Sequence, residues 1–364
     1  MSLVKIVEVE DYSKENINNG LKDLFEVINL EDIKDKNITV FFDFPMPDMG
    51  LMFNVYSFLI ENGAKEVSFG TSLMLKEEGL EFIEECKKRN IKFHNFREEP
   101  YEEFDVDLKA VKHSHYLGYQ VLSPGQYQQE KAFEQTDFFK VRTLKKVYVP
   151  LALSSADYIV PIIKLKDSPV SKIGGFMNSL LYIVPTNIRS EIFLKVFSLK
   201  FADALLDVFG VIKNTVLLGI VDGIQADLTK DEENDYKILM SSTDLLALDS
   251  NIAVLIGFRS SDIETNKVGS TLSLGYGLFK DVVVEGPDFI KIRKEITNKL
   301  KFKKAMDKRT QPEIIRIDEK INEVENLCPT GAIEKRNNGY SIDRHKCIKC
   351  NFCIEIAPNE FNVR

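Results

Sequence analysis

Cys347, Cys350 and Cys353 stand at two-residue gaps in HKCIKCNFCIEIAPNEF. At that spacing three thiolates in one loop can grip three corners of an iron–sulfur cluster. A complete C-x2-C-x2-C-x3-C-P run would place its last cysteine just before Pro358, where this chain has Ala357. In two-cluster proteins the fourth cysteine of each run serves the cluster of the other run. Cys328, followed by Pro329 in LCPTGAI, reads as the tail of such a partner run. Counting back from it gives Val324, Ile321 and Asp318, so the partner run keeps only its last ligand. The losses sort by cluster. One set (Asp318, Ile321, Val324, Ala357) holds no cysteine, and the other (Cys328, Cys347, Cys350, Cys353) is whole.

One 4Fe-4S cluster on those four cysteines is the expectation, because iron in such clusters takes soft thiolate ligands. Between the two motifs AIEKRNNGYSI reads as a hairpin turning at Asn338-Gly339, which carries Cys328 back toward the loop. Ile333, Ile348 and Phe352 are placed to exclude water, one of the levers on reduction potential. The rival is a four-cysteine zinc site, although structural zinc usually takes paired C-x2-C knuckles. His345 stands beside the loop and reads as an exposed residue, and Cys86, in EEGLEFIEECKKRN, as a plain structural thiol.

Elsewhere the chemistry-bearing residues follow strand-like runs. In open α/β sheets ligands bind beyond the carboxyl ends of the strands, which selects Lys164 and Lys166 after YIVPII, and Asp222 and Gly223 after LLGIV. The lysines would hold an anion and Asp222 a metal or polar group, with Asn178 and Arg189 completing the site. The plainer alternative has surface lysines and a turn-stabilising Asp. Asp244, in SSTDLL, reads as a helix N-terminus, and Asp249 fits either role. His113 and His115 can present two imidazoles on one side of a strand, without an evident acidic third ligand. No G-x-G-x-x-G after a strand, Walker A run or G-x-S-x-G elbow occurs.

The positioning elements alternate. ITVFFDF reads as a buried strand, GLMFNVYSFLIEN as a helix stopped by Gly63, KEVSFGTS as a strand, 76 to 89 as a helix, and IKFHNF as a strand closing a βαβαβ unit. The theme repeats with YIVPII, a helix around 188 to 210, TVLLGIVDGI, ILMSSTD, the helix LLALDSNIAVLIGF and a last strand DVVVEG. Residues 98 to 150, rich in Tyr, Gln and Glu, point to irregular structure or an excursion over the sheet. The fold class is therefore α/β, a mostly parallel sheet with helices on both faces, plus a small C-terminal α+β domain. The division expected is 1–287, a basic linker helix over 288–312, and 313–364. In the linker Phe289, Ile292, Ile296 and Leu300 repeat at helical spacing, which reads as a helix resting on the domain or as a docking surface for an acidic redox partner.

A net charge of -8 argues against binding a phosphate backbone, so nucleic acid is not an expected partner. No apolar run has the length of a membrane span, and the opening MSLVKIVEVEDYSKEN lacks the apolar core of a signal peptide, which gives the expectation of a cytoplasmic protein without a membrane partner. Four of the five cysteines lie from position 328 onward, which excludes a disulfide framework for the whole chain.

The tail resembles the C-terminal ferredoxin-like module of many iron–sulfur proteins. The larger part is similar to the domain of unknown function 362 family, often fused to such a module. The likeness rests on ENGAKEVSFGTS, SSADYIVPIIKLK, GGFMNSLLYIVP with Arg189 after it, FADALLDV, GIVDGI, SSTDLLALDSNIAVLIGF and NKVGSTLSLGYGLFKDVVVEG. It covers most of residues 38 to 286 and departs at Asp167-Ser168, at Met177, at DFPMP and at QADLTKDEEND. The resemblance supplies no reaction. Three functions remain open: one-electron transfer through the cluster to a redox partner protein or small molecule; a reductase-type enzyme (an oxidoreductase) on the α/β domain with the cluster as relay; or a non-redox small-anion binder whose cluster or zinc is structural.

Overall fold

The structure is a computed structural model of the chain that describes residues 1–72, 77–106, 109–111, 139–141, 143–168, 170–193, 200–228, 235–299, 312–317, 320–337, 339–357 and 360–363. Its strands are β1 (Ser2–Glu8), β2 (Asn37–Phe42), β3 (Glu66–Thr71), β4 (Phe93–Asn95), β5 (Tyr101–Asp105), β6 (Lys109–Val111), β7 (Phe139–Val141), β8 (Lys146–Pro150), β9 (Tyr158–Ser168), β10 (Lys172–Ile173), β11 (Gly219–Asp227), β12 (Asp235–Ser242) and β13 (Val282–Glu285). The main sheet runs β13-β1-β12-β11-β9-β2-β3-β4, with β10 hooked antiparallel onto β9. Every neighbouring pair along that order is parallel except the two made by β12, so the sheet is mixed and mostly parallel. Helices cover both faces, the α/β class that the alternating pattern predicts.

Apolar runs make the central strands. β2 is NITVFF, buried from Ile38 onward, as a parallel strand covered on both faces must be. Helix α1 (Lys14–Phe25) packs on β1, and α2 (Met49–Glu61) leads from β2 to β3. Asp48 caps α2 by accepting the Leu51 amide at 3.1 Å, and Gly63, at φ +96, ends it in a conformation that side chains disfavour. Helix α3 (Glu77–Lys88) brings Phe82 into a ring cluster, with centroids 5.3 Å from Phe42, 5.2 Å from Phe53 and 5.0 Å from Phe69. These edge and stacked contacts lock β2, β3 and their helices together.

The helix expected around 188 to 210 is helical where it is described, over Thr186–Phe193 and α4 (Lys200–Ile212), with 194–199 outside the described residues. Two expectations need adjustment. The strand in TVLLGIVDGI starts only at Gly219, although Val216 bridges to Ile159. Where irregular structure or an excursion is expected over 98 to 150, the described residues pair antiparallel, β5 with β8 and β6 with β7, while 112–138 lie outside the described residues. The long intervening sequence hid pairing that no local alternation announces. His113 and His115 lie outside the described residues. Strand β1, which the sequence reading passed over, fills the place between β12 and β13.

Helix α5 (Leu245–Leu255) is buried almost all round, and α6 (Phe289–Lys299) rests on it through Ile292 and Ile296. Phe289 stacks on Phe279 at 5.1 Å, and the Arg293 guanidinium donates to the Val254 carbonyl at 3.0 Å. The described part of the linker is thus a helix on the domain surface. The tail then repeats strand–helix–strand twice: β14 (Pro312–Ile314), α7 (Lys320–Leu327) and β15 (Ile333–Arg336), followed by β16 (Gly339–Ile342), α8 (Phe352–Ile356) and β17 (Phe361–Val363). The outer strands β14 and β17 pair antiparallel, as do the inner strands β15 and β16. The hairpin expected near Asn338-Gly339 is present, with Gly339 at φ +127.

Candidate functional site

The loop before α8 and the turn after α7 meet. Cys328, Cys347, Cys350 and Cys353 all line one cavity, with Val324, Ile333, Ile342, Ile348 and Phe352 as its apolar wall. Among the described residues no three His, Cys, Asp or Glu side chains gather tightly enough to hold a metal ion.

Local backbone explains the meeting. Lys349 and Asn351 adopt left-handed φ values of 54° and 59°, so the chain between the cysteines curls on itself. Cys347 begins the curl with its amide on the Asp343 carbonyl at 2.9 Å, and Asp343 donates its own amide to the Ala332 carbonyl at 2.7 Å, tying the loop to the turn that follows Cys328. Amides also point at sulfur. Ala332 N–H donates to Cys328 Sγ at 3.3 Å, and the amides of Lys349, Phe352 and Ile354 draw the thiols of Cys347, Cys350 and Cys353 toward their charged form.

Burial is the stronger influence. It raises the Cys347 thiol above its ordinary range, Cys350 to about 11 and Cys353 well above the usual value, and the neighbouring sulfurs add to each rise. Four thiolates crowded in an apolar pocket repel one another, so the charged set is stable only around positive charge. The positions of the set without cysteine are packed core: Ile321, Val324 and Ala357 are all buried, while Asp318 lies outside the described residues. His345 is exposed, its amide on Asp343 at 2.8 Å. Cys86 is fully buried and its thiol is pushed up to about 12 by burial.

In the sheet, Lys164 and Asp222 are register partners on β9 and β11. Asp222 is fully buried and accepts from Tyr12 Oη at 2.9 and 3.1 Å, from the Asp48 amide at 3.0 Å and from the Ile224 amide at 3.2 Å. Burial raises its carboxyl to about 6 against those bonds and the nearby Lys164 charge; burial also raises the Tyr12 phenol. Gly223 sits where a Cβ would stand 2.9 Å from Ile238 Cγ1, so its smallness serves strand packing. Lys166 is turned inward, its ammonium on Asp43 Oδ2 at 2.7 Å and on the Phe44 carbonyl.

Asn178 is buried on the one-turn helix Phe176–Ser179. Arg189 is buried on the β3 side, donating to Ser72 Oγ and the Val184 carbonyl, both at 3.2 Å. The sequence reading grouped Lys164, Lys166, Asn178, Arg189, Asp222 and Gly223. The structure gathers Lys164, Asp222 and Gly223 along one strand pair, and commits the cations of Lys166 and Arg189 to internal partners. Asp249 accepts the amides of Phe176 at 2.6 Å and Met177 at 3.0 Å, and burial lifts it to about 7. Asp244 caps α5, as expected. Asp43 was missed, although an acid directly after the apolar ITVFF was a readable signal for a carboxyl-end residue.

Residues 117–253 match the family described as Domain of unknown function (DUF362). No curated protein matches the chain. Among solved structures, one from Thermotoga maritima is similar at 14% identity and TM-score 0.39, over 74% of this chain and 60% of that one. The lactate racemase apoprotein from Thermoanaerobacterium thermosaccharolyticum is similar at 11% identity and TM-score 0.43, over 70% of this chain and 57% of the other. This chain therefore matches less than two thirds of either neighbour's length.

Proposed function

We propose that this chain is an iron–sulfur protein in which Cys328, Cys347, Cys350 and Cys353 hold one 4Fe-4S cluster for one-electron transfer. The supporting observation is that one cavity is lined by all four cysteines, although Cys328 comes from a separate turn. Thiols arranged around a space fit a cage with a ligand at each corner better than a single ion, whose four ligands must all bond one point. The doubled strand–helix–strand with paired outer and paired inner strands favours a ferredoxin-like tail, 313–364, following the α/β domain 1–287 and the linker 288–312.

When bound, such a cluster supplies a reversible one-electron couple. The protein's part is to hold four deprotonated sulfurs, to donate backbone amides to them, and to keep water off with Ile333, Ile348 and Phe352. A reductase-type use has its own support: Phe352 packs on Phe193, centroids 4.0 Å apart, and Phe193 belongs to the helix that carries Arg189 at the sheet end. That contact would couple the tail to a site on the α/β domain.

Anaerobic purification followed by iron and acid-labile sulfide analysis and electron paramagnetic resonance of the reduced protein tests this. About four irons and four sulfides per chain with a signal after reduction are expected. Zinc in place of iron, or a cluster that no reductant within roughly -700 to +450 mV reduces, would leave the tail a structural staple.

A further inference from the structure

The chain carries a net charge of -8, yet the loop that bounds the cysteine cavity is basic. Arg344, His345, Lys346 and Lys349 are all exposed, and Lys349 stands between the cavity-lining Ile348 and Cys350. Facing them are Glu334 and Asp343. Lys346 spends its charge on these, 2.5 Å from Glu334 and 3.9 Å from Asp343. Arg344 and Lys349 make no ion pair among the described residues, and Lys349 adopts a left-handed φ of 54° between two cavity-lining residues. Two cations without an ion pair among the described residues therefore lie within the segment that carries three of the four thiols.

Resting on the electron-transfer reading above, we infer that Arg344 and Lys349 form the docking face for an acidic one-electron carrier protein, which approaches the tail at Cys347 and Cys350. Electron transfer needs a short path from the surface to the carrier's cofactor, and this loop is where the cysteine cavity lies closest in sequence to exposed side chains. Charge complementarity at such a rim acts mainly on encounter. Steered association reaches about 10⁸ to 10⁹ per molar per second at low salt, against about 10⁵ to 10⁶ for neutral surfaces. In each transfer the carrier loses one electron and the tail gains one, with no bond made or broken and no proton required.

The test is stopped-flow reduction of the anaerobically purified full chain by photoreduced flavodoxin, an acidic carrier, at ionic strengths from about 0.02 to 0.3 M, where the screening length falls from roughly 20 Å to under 10 Å. The second-order rate is expected to fall at least about tenfold over that range. The Arg344→Glu variant should transfer about fivefold more slowly at low salt and lose much of the salt dependence, with unchanged iron, sulfide and dithionite-reduced spectrum. Arg344→Gln should fall between that variant and the unchanged chain. Lys291→Glu with Lys294→Glu, on the exposed face of α6, should change nothing. A cluster that dithionite reduces, but whose reduction by flavodoxin ignores both salt and the loop variants, overturns the docking face. So does a loss caused by the α6 pair instead. A preparation without reducible iron defeats the underlying reading, and is recognised by dithionite alone.

Discussion

At the residue scale the informative contrast is between Cys328 and Cys86. Both are single thiols in helical surroundings, yet one lines a cavity with three others and one is sealed in the core. Cys328→Ser is expected to lower bound iron to about three per chain or fewer, and Cys86→Ser to leave iron and sulfide unchanged, both read by metal analysis after anaerobic purification. Asp222 carries a pH dependence. Its folded-state value is raised from 3.8 to about 6, so the folded protein holds a proton that the unfolded chain has already released across that window. Stability from this group is complete below about pH 4 and is lost as pH rises to about 6, a change of about 3 kcal/mol at most. Asp222→Asn should flatten that fall in urea titrations run at successive pH values. An unchanged slope would mean that the carboxyl titrates normally.

At the element scale the fold depends on acids that hold backbone amides. Asp244 accepts from Leu246 at 3.0 Å, Ala247 at 3.1 Å and Tyr276 at 2.8 Å, fastening the start of α5 to a distant loop. Its replacement, Asp244→Ala, should cost about 2 kcal/mol, a cap plus one tertiary amide, seen as a lower urea midpoint at constant slope. Gly275 belongs to the same joint, since a Cβ there would stand 2.4 Å from Asp244 Oδ1. Asp249 plays the matching role for the helix Phe176–Ser179. Both acids carry structure, and for Asp244 the sequence context SSTDLL was enough to say so.

At the scale of the whole molecule the tail is joined to the α/β domain by an aromatic contact. Phe193 is fully buried and meets Phe352, which lies between two cavity cysteines. Phe193→Ala is expected to cost about 3 to 5 kcal/mol and to raise hydrogen exchange in α7 and α8 above that of β2 and β9. Equal exchange in both parts would show that the tail does not depend on this contact. Among the described residues no helix is long and apolar enough to cross a membrane.

The sequence by itself determined the alternation of β2, α2, β3, α3 and β4, the cap at Asp244, the stop at Gly63 and the β15–β16 hairpin, because each is set by local periodicity or by a residue with a narrow conformational range. It also picked out four cysteines by their spacing, and the structure brings all four to one cavity. Only the tertiary structure decided that β1 inserts between β12 and β13, and that β5 pairs with β8 across some forty intervening positions of sequence. It likewise decided that the ammonium of Lys166 turns in to Asp43 instead of out to solvent. Strand partners and buried ion pairs are contacts between distant positions, fixed by which surfaces are left to cover, and a local pattern carries no information about them.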